Sequence, residues 1–93
     1  MEIVFEIQYH ENVVKKDIPR LPKKQKEIIK KIIEEKLQTS PEIFGKPLRR
    51  SLNGYRSLRC GDYRIIFRIE KTVVKIFVIQ HRSIVYLNHQ IVR

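Results

Sequence analysis

Tyr55-Arg56-Ser57-Leu58-Arg59, then Tyr63-Arg64-Ile65-Ile66-Phe67-Arg68-Ile69, then Thr72-Val73-Val74-Lys75-Ile76-Phe77-Val78-Ile79-Gln80-His81-Arg82: these three runs decide the fold. They are rich in β-branched and aromatic residues, the composition of strands. Asn53-Gly54, just ahead of the first run, is a turn signal. Gly61-Asp62 either turns the first run into the second or forms a bulge. Glu70-Lys71 is the expected hairpin tip. With a two-residue loop there, residues whose numbers sum to 141 face each other, so Tyr63, Ile65 and Phe67 share a face with Val78, Ile76 and Val74. The opposite face then holds Arg64, Ile66 and Arg68. The same register carries His81 onto the Arg64 face, with Arg82 beside it as the strand runs out.

Working outward from this hairpin, Ile3 to Tyr9 is again β-branched and aromatic and reads as an N-terminal strand. Glu11 to Ile18 is a short amphipathic segment, stopped or kinked by Pro19 and Pro22. From Pro22 to Leu37 the pattern is helical, because Ile28, Ile29, Ile32, Ile33 and Leu37 form one apolar stripe with Lys and Glu opposite. Thr39-Ser40-Pro41 ends that helix, and Gly45-Lys46-Pro47-Leu48 reads as an irregular connector. The expected fold is α+β: an N-terminal strand and a helical hairpin packed on one face of a small antiparallel β-sheet. At 93 residues the chain makes a single domain, residues 1–93.

Charge adds a direction. The chain carries 20 Lys plus Arg against 10 Asp plus Glu, a formal net charge of +10. Residues 1–42 hold 9 basic and 8 acidic side chains, whereas residues 43–93 hold 11 basic and 2 acidic. Arginine divides likewise: Arg20 stands alone in the first part, and Arg49, Arg50, Arg56, Arg59, Arg64, Arg68, Arg82 and Arg93 fill the second. Arg makes planar, bidentate contacts with phosphate, so this segregation points to a polyanion-binding surface, which solubility alone does not require. The lone Cys60 excludes an intramolecular disulfide framework and any Cys-rich zinc site. No apolar run reaches the length of a membrane span, and no export signal is visible, so a cytoplasmic protein with no membrane partner is expected.

The candidate chemistry rests on Arg, Tyr and His. His81 and His89 lack nearby carboxylates or thiols for a metal site, no Gly-rich phosphate loop occurs, and Cys60 has no evident catalytic base, so neither metal nor cofactor is expected. Tyr55, Arg56, Arg59, Arg64, Arg68, His81, Arg82 and Tyr86 are the side chains a metal-free ribonuclease needs. Attack of a 2′-hydroxyl on the adjacent phosphodiester calls for a proton acceptor, a proton donor and cations for the developing charge. Alternatives stand beside several of these: Tyr63 as core, Tyr55 as core or base stacker, and His81 as a residue orienting a turn.

The run from Leu52 to Ile69, with Leu52-Asn53-Gly54 ahead of Arg59-Cys60-Gly61-Asp62-Tyr63-Arg64, resembles the central signature of the RelE/ParE toxin superfamily. His81-Arg82-Ser83-Ile84-Val85-Tyr86 resembles the C-terminal His-Arg-x-x-Val-Tyr motif of its RelE branch, and the Pro22–Leu37 helix and the Gly45–Leu48 connector also fall where the family places them. The resemblance covers nearly the whole chain. It implies a toxin of a type II toxin–antitoxin pair that enters the ribosomal A site and cleaves mRNA there by 2′-hydroxyl transesterification. In that scheme Arg64 and Arg82 match the arginines that neutralise the scissile phosphate, and Tyr86 matches a tyrosine that stacks on a base and joins proton transfer. Arg56 and Arg59 lie where ribonuclease members place basic residues. The chain shows Arg56 and Ser57 where some members carry a pair of lysines, and an Arg cannot give up its proton near neutral pH, so the proton acceptor is either Tyr86 or His81. Arg68, Arg49, Arg50 and Lys46 are expected at RNA phosphate or an acidic partner.

Two other functions compete. A non-enzymatic poison of DNA gyrase, as in the ParE branch, shares the fold and the Gly-Asp-Tyr-Arg segment. A plain nucleic-acid-binding module would show steep salt dependence and form no product. The expected partners are a cognate antitoxin, RelB-like, acidic and partly disordered, together with the 70S ribosome and mRNA.

Overall fold

The computed structural model describes residues 3–49 and 52–85. Five strands, β1 (Glu6–Tyr9), β2 (Lys46–Pro47), β3 (Arg56–Cys60), β4 (Tyr63–Glu70) and β5 (Val73–His81), form one sheet in the order β1-β5-β4-β3-β2. Strands β2 to β5 are joined antiparallel, whereas β1 lies parallel to β5, with Glu6 opposite Val73 and Tyr9 opposite Ile76. The expected α+β arrangement holds, with the N-terminal strand adding a parallel edge and the Lys46–Pro47 connector forming a two-residue strand against Arg56 and Ser57.

Two helical segments and a short third helix lie between β1 and β2 among the described residues. The first is a π-helical turn, Val13–Asp17, running into α1 (Ile18–Arg20); the second is α2 (Lys23–Ile32), which continues as a π-helical turn, Ile33–Leu37. Ile29, Ile33 and Leu37 recur every fourth residue and are buried, which is why this stretch lies on the sheet as a helix. Ile28 sits at the margin of the stripe, 39% exposed. The second segment ends where Thr39 turns its hydroxyl back to the Glu35 carbonyl, 2.9 Å away, and α3 (Pro41–Phe44) begins with a proline.

The core fills the space between these helices and the sheet. Val13, Leu21, Ile29, Ile33 and Leu37 pack on Leu58, Cys60, Ile65, Phe67, Val74, Ile76 and Ile79. Fully burying a side chain of this kind contributes about 1.5–3 kcal/mol. Gly45, just after α3, has no room for a side chain, because a Cβ there would run into the Phe67 ring.

The β4–β5 hairpin differs from expectation in two ways. Its tip is Lys71-Thr72, since Glu70 faces Val73, and Lys71 takes the left-handed φ of 57° the tight turn demands. That shift alone leaves the faces unchanged. A bulge then inserts one extra residue between the Phe67–Ile76 and Ile66–Val78 pairs. Beyond it every side chain of β5 swaps faces, so Val78 joins Ile66 and His81 stands opposite Tyr63. His81 is therefore on the helix-covered face, not the Arg64 face.

One tie crosses the layers at this bulge. Asp17, at the end of the first π-turn and buried, accepts the Ile79 backbone N–H at 3.0 Å and the Gln80 side-chain amide at 3.2 Å. β1 ends at Tyr9, opposite Ile76, so the Asp17 carboxylate supplies the acceptor that the neighbouring strand no longer provides. Among the described residues no helix is long and apolar enough to cross a membrane.

Candidate nucleic-acid interface

The face turned away from the helices has a small apolar plug and a basic end. Leu52, Ile66 and Val78 are buried on it, with Leu48, Tyr55 and Phe77 packed around them. Toward the β3–β4 turn the register places Arg59 directly opposite Arg64, and Arg64 opposite Gln80. A groove of about 520 Å³ opens at this end, lined by Phe44, Lys46, Leu48, Ser57, Leu58, Arg59 and Arg64. Among the described residues, three cations and no carboxylate line it.

This arrangement works against folding. Like charges directly opposite on neighbouring strands repel. Among the described residues the buried Nε of Arg64 has no hydrogen-bond partner, nor has the buried Oε1 of Gln80 on the facing residue, and leaving a charged donor unpaired costs more than leaving a neutral one. A structure retains such a cost where the missing acceptor comes from outside, and two guanidinium groups with a lysine beside them suit a phosphate. Arg59 is steadied by its own turn, its Nε donating to the Gly61 carbonyl at 3.3 Å.

Arg82 stands at the rim of the same end. It opens α4 (Arg82–Val85), its backbone N–H donates to the Asp62 carbonyl at 2.7 Å, and its Nε lies 3.9 Å from the Asp62 carboxylate. Both side chains of that pair are exposed, which makes the contact weak and easily exchanged for another anion.

Other expected residues lie elsewhere. Arg56 is on the helix-side register with Phe67, and its Nη1 donates to the Gly45 carbonyl at 2.9 Å and the Glu42 carbonyl at 3.3 Å, so it anchors the turn after α3. Arg68 shares the Arg64 face but reaches Glu70 at 3.2 Å. Arg49 is exposed in the loop after β2. Arg50 and Tyr86 lie outside the described residues. Tyr63 packs against the core.

His81 has a structural task. Its Nδ1 accepts the Ser83 backbone N–H at 3.1 Å and lies 2.8 Å from the Ser83 hydroxyl, holding the first turn of α4. Its ring stands edge-on to Tyr63, 5.5 Å between centroids. With Nδ1 accepting, a neutral ring carries its proton on Nε2. Cys60 is buried, and burial pushes its thiol up, partly offset by Lys36, which keeps it a small apolar side chain and not a nucleophile. Among the described residues no three His, Cys, Asp or Glu side chains gather in a way that holds a metal ion.

Two residues of this region escape sequence reading. Ser57 is buried among arginines in a strand whose polar positions all look alike, and Asp17 lies 62 residues from the amide it binds. The only local hint of Asp17 is a carboxylate in an otherwise basic, amphipathic stretch.

Residues 8–86 match the family model described as the ParE toxin of type II toxin–antitoxin systems. The chain is 36% identical over 74 residues to the toxin RelG of Mycobacterium tuberculosis, an alignment covering 77% of this chain and 85% of RelG. It is 38% identical over 55 residues to the toxin RelE of the same organism, covering 59% of this chain and 57% of that toxin. Among solved structures, the toxin–antitoxin complex RelBE2 of M. tuberculosis contains a chain that superposes with a TM-score of 0.81 at 30% identity, covering 87% of this chain and 94% of that one. A chain of the RelB–RelE complex of Methanococcus jannaschii shares the fold at a TM-score of 0.69 and 23% identity, covering 87% and 96%. A family match spanning most of the chain, on a sheet and helical pair of the same build, makes this protein a toxin of the RelE/ParE superfamily, from a type II toxin–antitoxin system.

Proposed function

We propose that this toxin is a ribosome-dependent endoribonuclease that cuts mRNA in the ribosomal A site. The observation that carries the reading is the Arg59–Arg64 pair, two guanidinium groups facing each other in one groove with a buried Nε lacking an acceptor. A scissile phosphate seated there meets Arg64 and Arg59 from the sheet and Lys46 from the groove wall, with Arg82 at the rim. Attack of the 2′-hydroxyl puts extra negative charge on the phosphate oxygens, and cations already in place stabilise that charge without reorganising. The bond formed is 2′-oxygen to phosphorus and the bond broken is phosphorus to 5′-oxygen, leaving a 2′,3′-cyclic phosphate.

Of the two proton acceptors considered, His81 is engaged through Nδ1 and faces the helices, whereas Tyr86 is the position the family resemblance assigns. Proton transfer therefore falls to Tyr86, and His81 takes a supporting role. The surrounding cytoplasm holds a cognate antitoxin that covers the basic face; known toxins of this build have been solved in complex with their antitoxins. The ribosome and mRNA are the targets once the antitoxin is gone.

The ParE description of the matching family favours a second reading, arrest of DNA gyrase without catalysis. The two separate in one comparison. Toxin freed of antitoxin is added to translating ribosomes, with mRNA ends mapped, and to gyrase, with cleavage complexes scored. Cut mRNA and undisturbed gyrase support the ribonuclease. Intact mRNA with trapped gyrase overturns it.

A further inference from the structure

The bulge in β5 does more than move His81. It sends Phe77 and Val78 to the same side of the sheet, and while Val78 is sealed in the apolar plug, Phe77 stays half-buried. On one flank the exposed His10 ring lies 5.6 Å from Phe77, tilted by 36°. On the other, Tyr55 meets Phe77 edge-on at 5.2 Å, and the Arg68 guanidinium sits 5.8 Å from the Tyr55 ring centre. Three aromatic rings thus run in a row across β1, β5 and the start of β3. At the His10 end a cavity of about 220 Å³ is lined by Gln8, Tyr9, His10, Lys75 and Phe77.

We propose that the His10–Phe77–Tyr55 row is a nucleobase-stacking subsite for single-stranded RNA, separate from the phosphate groove at Arg59 and Arg64. This rests on the ribonuclease reading above and extends it to the flanking nucleotides. Rings half-open to solvent offer flat faces that any unpaired base can cover, and each such stack contributes to affinity without selecting sequence strongly. The occupant is argued from charge. Arg64 and Arg68 alternate with Ile66 on the same face of β4, and Lys75 stands opposite Arg68, so the row is flanked by cations placed for a backbone.

Two carboxylates lie near the row among the described residues: Glu6, which accepts the Gln8 side-chain amide at 2.8 Å, and Glu70, which sits between the cations. Glu70 holds Arg68 at 3.2 Å through one oxygen and Lys75 at 3.1 Å through the other. Both cations are occupied in the free protein, and RNA phosphates must compete with Glu70 for them. Removing that carboxylate therefore strengthens binding, an outcome misfolding does not imitate.

The test uses the full-length toxin, freed of antitoxin, and a fluorescein-labelled hexanucleotide with 2′-O-methyl groups throughout, which binds and is not cut. Fluorescence anisotropy is followed over a salt series. His10→Ala and Phe77→Leu, the second keeping apolar bulk over the plug, each weaken binding by about tenfold while the salt slope holds. Arg64→Ala weakens binding and lowers that slope by about one. Glu70→Gln tightens binding severalfold at low salt. If His10→Ala and Phe77→Leu bind like wild type while Arg64→Ala is weakened, the subsite is wrong and the phosphate groove stands. If the hexanucleotide binds no protein, or binds without regard to Arg64, both fall. If the two aromatic variants lose affinity for the antitoxin and not for the oligonucleotide, the row is a protein-docking surface and the proposal is overturned.

Discussion

The two faces of the β-sheet differ in what they leave unpaired. On the helix side, Phe67, Ile65, Ile76 and Val74 are wholly buried, and the buried carboxylate of Asp17 has its Oδ2 and Oδ1 occupied by Ile79 and Gln80. On the other side, Arg59 opposes Arg64, a buried guanidinium nitrogen lacks an acceptor among the described residues, and aromatic rings stand half-open. The first face is nearly complete in the isolated chain, although the Oε1 of Gln80, whose amide nitrogen binds Asp17, is buried with no partner among the described residues. The second has its own small plug, and its unmet polar and aromatic groups mark where another molecule completes it. Stability is carried by the helix-side core and the Leu52–Ile66–Val78 plug, and function by the arginines beside that plug, so Phe67 and Arg64 of β4 should respond to substitution in opposite ways.

The largest effect on stability is expected at Phe67→Ala, which empties the centre of the core and removes about 3–5 kcal/mol, read from urea denaturation. A fall below about 1 kcal/mol would erase the contrast between the faces. Asp17→Ala leaves the Ile79 N–H without its acceptor and is expected to cost about 1–3 kcal/mol. Hydrogen exchange locates the loss, since the Ile79 amide should lose protection more than the amides of β3. Gly45→Ala forces the Phe67 ring to move and should lower stability by about 1–3 kcal/mol; an unchanged denaturation midpoint would mean the ring yields freely. Arg59→Gln removes a cross-strand like charge and should raise stability by about 0.2–1 kcal/mol, most clearly at low salt. A loss there would place Arg59 among the groups that hold the fold.

The second helix was legible because burial imposes a 3.6-residue period on it, and Ile29, Ile33 and Leu37 carry that period openly. So was the split of β4 into an apolar and an arginine face. The bulge was not legible: Ile76-Phe77-Val78-Ile79 is apolar at every position, and such a run offers no break in alternation to show where one residue is extra. For that reason alone the sequence pattern puts His81 on the face opposite the one it occupies. The hairpin tip escaped because neither Glu70-Lys71 nor Lys71-Thr72 contains the glycine or asparagine that usually marks a left-handed position. The parallel edge made by β1 depends on contacts across some 67 residues, as in Glu6 to Val73, and local pattern holds no trace of them. At the site, the resemblance named Arg64 and Arg82 but not the Arg59–Arg64 opposition, which is a property of register and exists only once the strands are paired.

The central claim is that Arg64 belongs to function and not to folding. The direct measurement takes wild type and Arg64→Ala through urea denaturation and through mRNA cleavage on translating ribosomes. The account predicts an unchanged or higher midpoint for the variant, with cleavage lost by about a hundredfold or more. A variant that cuts like wild type, or wild-type toxin that leaves the message whole, would contradict it.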